Sequence, residues 1–114
     1  MDERQIILFG DYFKEFLQTL DNKTIIKLNY LLTLLRTQRI LSTDVVKRIK
    51  DGIYELRLLY NGNIYRVFFI FDDGNIVVLF NGFQKKTQKT PTKEIDKAIK
   101  IKKEYEQYKQ NNKL

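Results

Sequence analysis

Two pairs of turn-forming residues divide an apolar stretch of this chain into three short segments. The segments are Ile53–Tyr60, Ile64–Phe71 and Ile76–Phe83, and the pairs between them are Asn61-Gly62 and Asp73-Gly74. Asn-Gly and Asp-Gly tolerate positive φ at both central positions of a type I′ turn, which joins neighbouring antiparallel strands. The pattern therefore predicts a three-stranded antiparallel meander, and this sheet constrains the rest of the fold.

The segments before the meander predict one strand and two helices. Residues 5–9 form a short apolar run that ends at Gly10 and is typical of a strand. Two amphipathic helices follow, and Asp21-Asn22 separates them and supplies the N-cap of the second. Because neither helix can bury its apolar side alone, we expect a helical hairpin packed on the sheet.

The remaining segments complete an α+β fold. We predict a brief turn through Val45, Val46 and Ile49 that ends at Asp51-Gly52, and a C-terminal helix after Pro91. The expected order is thus a short N-terminal strand, a helical hairpin, a three-stranded antiparallel meander and a C-terminal helix. With 114 residues, of which 43% are hydrophobic, the chain is long enough for one core, so residues 1–114 are predicted to form a single domain.

Composition limits the chemistry available to this protein. The chain has no Cys and no His, which excludes a disulfide framework, the usual zinc sites and the commonest general acid or base near neutral pH. We expect no metal or other cofactor, and any catalysis must use Lys, Arg, Tyr, Glu or Asp. The apolar run from Ile6 to Phe9 is too short for a signal peptide or a membrane span, so a cytoplasmic location with no membrane partner is expected.

Positive charge is concentrated after the meander. Residues 84–114 contain ten Lys and four acidic residues, whereas residues 1–83 are almost neutral, and the whole chain carries a formal charge of +7. A localised excess of this kind indicates a polyanionic partner more than general solubility.

The predicted hairpin register brings two arginines together. A two-residue loop at Asn61-Gly62 sets Arg57 directly opposite Arg66, and the same reasoning at Asp73-Gly74 sets Asn81 opposite Arg66. Like charges in a cross-strand pair repel, so an anion between them or an acid beside them is expected, and Glu55 lies on the same strand face. Two interpretations stay open: edge arginines that bond surface acids, or a clamp for a phosphate group.

The basic segment after the last predicted strand also has two interpretations. Lys85, Lys86 and Lys89 are a solvated charge run or, with Gln84 between strand and lysines, a loop that follows a nucleic-acid backbone. Phe83 is more often a core residue, although an aromatic side chain beside a basic site can stack on an unpaired base.

Taken together, three segments resemble one family of proteins. They are Gly52-Ile53-Tyr54-Glu55-Leu56-Arg57, Tyr65-Arg66-Val67-Phe68-Phe69 and the run from Leu79 through Phe83-Gln84-Lys85-Lys86 to Pro91. The chain resembles the RelE/ParE toxin superfamily over nearly its whole length, and most closely the HigB-like, phage-derived branch.

This resemblance implies a function. It implies the toxin of a type II toxin–antitoxin pair, a ribosome-dependent endoribonuclease that cleaves mRNA in the ribosomal A site and binds a helix-turn-helix antitoxin. The positions that match the family's catalytic residues are Arg57, Arg66, Lys85 and Lys86. Some relatives have a histidine near the active site and this chain has none, so the proton-transfer residues cannot be carried over.

Chemistry assigns provisional roles to these residues. Arginine and lysine can stabilise the charge that develops on phosphorus during metal-free RNA cleavage, and Lys85 or Lys86, then Glu55 and Tyr54, are candidates for proton transfer. The predicted substrate-contacting residues are Glu55, Tyr54, Asn81, Phe83, Gln84 and Lys89. Two other functions stay open, namely a ParE-like gyrase poison without catalysis and a nucleic-acid-binding module.

Overall fold

The computed structural model describes residues 3–112 as a mixed α+β fold with one five-stranded sheet and three helices. The elements in chain order are β1 (Gln5–Leu8), α1 (Tyr12–Leu17), α2 (Asn22–Thr37), β2 (Val46–Lys50), β3 (Ile53–Tyr60), β4 (Asn63–Asp72), β5 (Ile76–Lys85) and α3 (Thr92–Asn111). The predicted opening strand, the two helices that follow it and the C-terminal helix are present, and the first two helices pack on one face of the sheet. Asp21 caps α2 as expected, since its carboxylate accepts a hydrogen bond of 2.8 Å from the backbone N–H of Thr24.

The meander has four strands, so the prediction of three is wrong. The sheet order is β1-β5-β4-β3-β2, with β1 parallel to β5 and the other neighbours antiparallel. Val46 and Ile49, predicted in a brief turn, lie in β2, which pairs with β3. Asp51 and Gly52 have φ values of 54° and 78°, so they form a tight reversal between two strands. The charged, largely exposed side chains of β2 hid its strand character from the hydrophobic pattern.

The loop between β3 and β4 has the predicted register. Asn61 and Gly62 both have positive φ, and Arg57 lies directly opposite Arg66.

The register between β4 and β5 differs from the prediction. Asp72 pairs with Ile76, so the loop contains three residues, and a β-bulge lies further along the pair of strands. Each feature shifts the pairing by one residue, and Arg66 consequently lies opposite Phe83 instead of Asn81. The predicted polar row of Arg57, Arg66 and Asn81 is therefore wrong at its third member.

Each face of the sheet carries a separate apolar cluster. The α1–α2 face packs against the helical hairpin and includes Leu56, Leu58, Val67, Phe69 and Leu79. The α3 face packs against the C-terminal helix and includes Ile53, Phe68, Ile70, Val78 and Phe80. Alternation along β3 and β4 places Arg57 and Arg66 on the α3 face, beyond its apolar cluster.

Gly82 allows α1 to approach β5 closely, which leads to a stability prediction. A Cβ atom at this position would lie 2.5 Å from Cδ2 of Phe16. We expect Gly82→Ala to lower the free energy of unfolding by about 1–3 kcal/mol, because the core must shift to relieve the overlap. Urea unfolding monitored by circular dichroism measures the change. A second substitution, Phe16→Leu, should restore part of the loss, whereas parental stability in Gly82→Ala would contradict the close packing.

Candidate anion-binding groove

A buried carboxylate lies between the two paired arginines. Glu55 is 3% exposed, and its Oε2 lies 3.4 Å from Nε of Arg66 and 3.6 Å from Nε of Arg57. Its other oxygen lies 3.5 Å from Oγ1 of Thr90, which belongs to the loop before α3. Glu55 thus relieves the repulsion between the arginines, as its position on their strand face predicted.

The two guanidinium groups differ in exposure. Arg66 is 5% exposed and donates from Nη1 to the carbonyl oxygen of Tyr65 at 3.1 Å. Arg57 has 31% of its side chain exposed and donates from Nη1 to the carbonyl oxygen of Thr43 at 3.3 Å. Burial lowers the pKa of Arg66 from its ordinary value, and Glu55 opposes this change. Arg66 is therefore a buried cation whose position is fixed by its neighbours, and Arg57 is a cation more accessible to solvent.

The Nε atom of Arg66 has unused hydrogen-bonding capacity. It is buried and, among the described residues, forms no hydrogen bond, although the carboxylate of Glu55 lies 3.4 Å away and forms an ion pair with it. A buried donor of this kind favours an additional acceptor, because leaving it unpaired costs free energy.

Lys85 adds a third positive charge beside the arginines. It is the last residue of β5, which is longer than predicted, and it pairs with Ile64 of β4. Its side chain is half-buried on the arginine side of the sheet. Burial lowers the pKa of Lys85, and the positive charge of Arg66 lowers it further. Lys86 follows on the loop and is exposed.

These side chains line an open groove, which we call the cationic groove. Its volume is about 770 Å³. The lining residues are Arg57, Gly62, Asn63, Ile64, Arg66, Gln84, Lys85, Lys86, Thr87 and Gln88. The groove therefore combines four cations with amide and hydroxyl groups.

The structure brings the four residues predicted to be catalytic together. Arg57, Arg66, Lys85 and Lys86 all line the cationic groove, as does Gln84, and Glu55 lies behind the arginine pair.

Other predicted residues lie outside the cationic groove. The ring of Tyr54 is on the opposite face of the sheet and packs on Phe69 and Phe71, with centroid distances of 5.7 and 5.0 Å. The predicted substrate-contacting residue Tyr54 therefore lies away from the cationic groove, because strand alternation directs its side chain to the other face. Lys89 is exposed on the loop after β5 and is not among the lining residues.

Asn81 and Phe83 line a second pocket of about 440 Å³ that shares Gln84 and Lys86 with the cationic groove. Asn81 is 1% exposed, and its Nδ2 donates weakly to Glu94 at 3.4 Å, while its Oδ1 is buried and, within residues 3–112, unpartnered. Phe83 packs on Phe68, with ring centroids 5.6 Å apart. Both residues are thus near the cationic groove without lining it, and Phe83 lies across the strand from Arg66.

Sequence reasoning missed two threonines at the site. Thr90 reaches the carboxylate of Glu55, and the backbone carbonyl of Thr43 accepts from Arg57. Both lie on loops remote from the arginines in sequence, so no local pattern indicated them. Their contacts fix the orientation of the charged groups they touch.

The arrangement suits a phosphate group. Two guanidinium groups supply planar pairs of donors, and Lys85 supplies a compact charge. An oxyanion in the groove therefore meets cations from three neighbouring strands, β3, β4 and β5. Across residues 3–112, His, Cys, Asp and Glu side chains form no group of three or more that could hold a metal ion. No helix in that range is both long and apolar enough to cross a membrane.

A comparison with protein families gives a match over most of the chain. A family model described as "Phage derived protein Gp49-like (DUF891)" matches residues 15–103, from α1 to the second half of α3. This range contains the whole cationic groove. No curated protein matches the chain.

Proposed function

Because the chain belongs to the Gp49-like family of phage-derived proteins, we propose that it is a toxin that cleaves mRNA on the ribosome. The Gp49-like family belongs to the RelE/HigB-type toxin superfamily, and membership implies an antitoxin as partner. The HigB-like branch, the nuclease activity and the helix-turn-helix character of the antitoxin are parts of this proposal.

One observation carries the nuclease proposal. Arg57, Arg66 and Lys85 converge on one groove, while Glu55 compensates the charge of the arginines from behind. The two arginines are thus held in place before any substrate arrives, and preorganised charge is the largest single contribution to the stabilisation of many transition states.

The groove supports a metal-free cleavage. The 2′-hydroxyl of the RNA loses its proton to solvent water and attacks the adjacent phosphorus, the bond from phosphorus to the 5′ oxygen breaks, and the products carry a 2′,3′-cyclic phosphate and a 5′-hydroxyl. Arg57 and Arg66 hold the phosphate and stabilise the charge on its oxygens. The ammonium group of Lys85 gives a proton to the departing 5′ oxygen, since its lowered pKa makes it a better acid than an ordinary lysine. Lys86 binds the flanking backbone at the rim.

Expression in bacterial cells tests the proposal. We expect induction to arrest growth and to produce new 5′ ends within translated mRNA, and we expect an inhibitor that stops ribosomes from loading to prevent these ends. Lys85→Gln should weaken both effects, whereas Lys100→Gln, which removes an exposed charge from α3, should leave them unchanged.

Two outcomes would contradict the nuclease proposal. Arrest with DNA damage and intact mRNA would indicate a gyrase poison, for which the cationic groove is only a docking surface. Absence of arrest together with RNA binding and no cleavage would indicate a binding module.

A further inference from the structure

Two large apolar side chains lie exposed on adjacent turns of α2. Ile26 is 68% exposed and Tyr30 is 56% exposed, and their spacing of one helical turn places them side by side. Together with Lys23, Lys27 and Tyr60 they line a pocket of about 310 Å³. We call these five residues the α2 surface.

Packing of the core does not account for Ile26 and Tyr30. The helix buries Leu28, Leu31 and Leu35 against the sheet, and Ile26 and Tyr30 occupy its opposite side. Single exposed hydrophobic residues are common, but here an isoleucine and two tyrosines border one concave site. This combination is typical of a place where another molecule covers apolar surface.

The positive charge of the α2 surface favours an acidic partner. Both charged residues of the α2 surface are lysines one turn apart, and the ammonium group of Lys27 lies 5.4 Å from the ring centroid of Tyr30. An acidic partner would pair with these lysines while its apolar side chains cover Ile26 and Tyr30. Aliphatic surface at Ile26 favours a protein over a nucleic acid, because base stacking uses aromatic faces.

We propose that the α2 surface binds an amphipathic protein helix whose apolar stripe is flanked by Asp or Glu. A helix with apolar residues at i, i+3, i+4 and i+7 presents such a stripe to a groove. If the proposed function holds, this helix belongs to the antitoxin, and the assignment to the antitoxin rests on that proposal. The α2 surface lies on the α1–α2 side of the sheet, whereas Arg57 and Arg66 point to the α3 side. The helix and a phosphate in the cationic groove are therefore expected to bind at the same time.

Nuclear magnetic resonance tests the proposal with a defined probe. The probe is a peptide of about 18 residues, or five helical turns, with leucines at the spacing above and glutamates on either side. Added to the isotope-labelled full chain at up to about 1 mM, which detects weak binding, it should shift the amide signals around Ile26 and Tyr30. The same titration in the presence of inorganic sulfate should give the same shifts.

Matched variants locate the binding. Ile26→Ser combined with Tyr30→Ser should weaken peptide binding at least tenfold, whereas Ile40→Ser should not, although Ile40 is 90% exposed. A peptide with glutamines in place of the glutamates should bind more weakly, because it does not pair with Lys23 and Lys27. Absence of shifts, shifts elsewhere, or equal binding by the double variant would overturn the proposal.

Two further readouts separate this proposal from the nuclease proposal. The double variant should cleave RNA like the parent, because the α2 surface is outside the cationic groove. Failed peptide binding with normal cleavage would overturn the docking site alone, and normal binding without cleavage would overturn the nuclease alone. Loss of affinity for single-stranded RNA in the double variant, without loss of affinity for the peptide, would assign the α2 surface to nucleic acid and overturn the proposal.

Discussion

Replacing Arg66 with alanine is expected to slow the proposed RNA cleavage by about 10²–10³-fold, the usual effect of removing one preorganised donor from a site of developing charge. Arg66 is fixed by Glu55 on one side and by the carbonyl oxygen of Tyr65 on the other, so its guanidinium needs little reorganisation to meet a phosphate. The loss should appear in the rate of the chemical step, measured in single-turnover assays on programmed ribosomes.

Two control variants isolate the role of the guanidinium. Arg66→Lys keeps a positive charge and loses the planar pair of donors, so it should recover only part of the rate. Arg48→Ala removes an exposed arginine from β2. Arg48 pairs with Tyr54, whose ring packs on the α1–α2 face, so Arg48 lies on the side of the sheet away from the cationic groove. This variant should therefore cleave like the parent.

Stability must be checked alongside these rates, because Arg66 is almost fully buried. Thermal unfolding curves of all variants identify a temperature at which every variant is folded. The cleavage rates are then compared at that temperature. A folded Arg66→Ala protein that cuts at the parental rate would show that the arginine serves the fold and not the reaction.

The sequence predicted the arginine pair because its loop is short and its turn residues are restrictive. Asn61-Gly62 admits a two-residue loop, and each flanking position then has one partner across the hairpin. The same reasoning failed at Asp73-Gly74, where Asn75 joins the loop and a bulge follows. A bulge depends on the packing of the whole sheet, so local composition gave no indication that Phe83 would replace Asn81 opposite Arg66.

The sequence identified the charged residues of the cationic groove better than it identified the contacts that orient them. Arg57 and Arg66 could be selected by residue type and register, Lys85 by its place in the basic run after the predicted strand, and strand alternation also placed Glu55 beside the arginines. The contacts from Thr43 and Thr90 join residues distant along the chain, and their existence depends on how the loops close over the sheet edge. Tyr54 shows how alternation separates neighbours in sequence, since its position next to Glu55 puts its side chain on the other face of the sheet.

Glu55→Leu is expected to lower the free energy of unfolding by about 3 kcal/mol, the lower end of the range for breaking a buried ion pair, because Arg57 is partly exposed. The substitution removes the carboxylate and leaves Arg66 buried with a positive charge beside Arg57. Urea denaturation followed by circular dichroism measures the change. Glu106→Leu, on an exposed position of α3, is the control and should alter stability little.

A second substitution decides whether the loss comes from the uncompensated charge. In Glu55→Leu with Arg66→Met, no buried arginine is left without its carboxylate, and methionine can fill much of the same space with apolar atoms. We therefore expect the double variant to be more stable than Glu55→Leu alone, a coupling that independent sites do not show. If the two losses simply add, Glu55 stabilises the fold through packing, and its contact with the arginines at 3.4 and 3.6 Å contributes little. If they couple, the same carboxylate that lets two arginines pair on one face of the sheet also keeps them positioned for a phosphate.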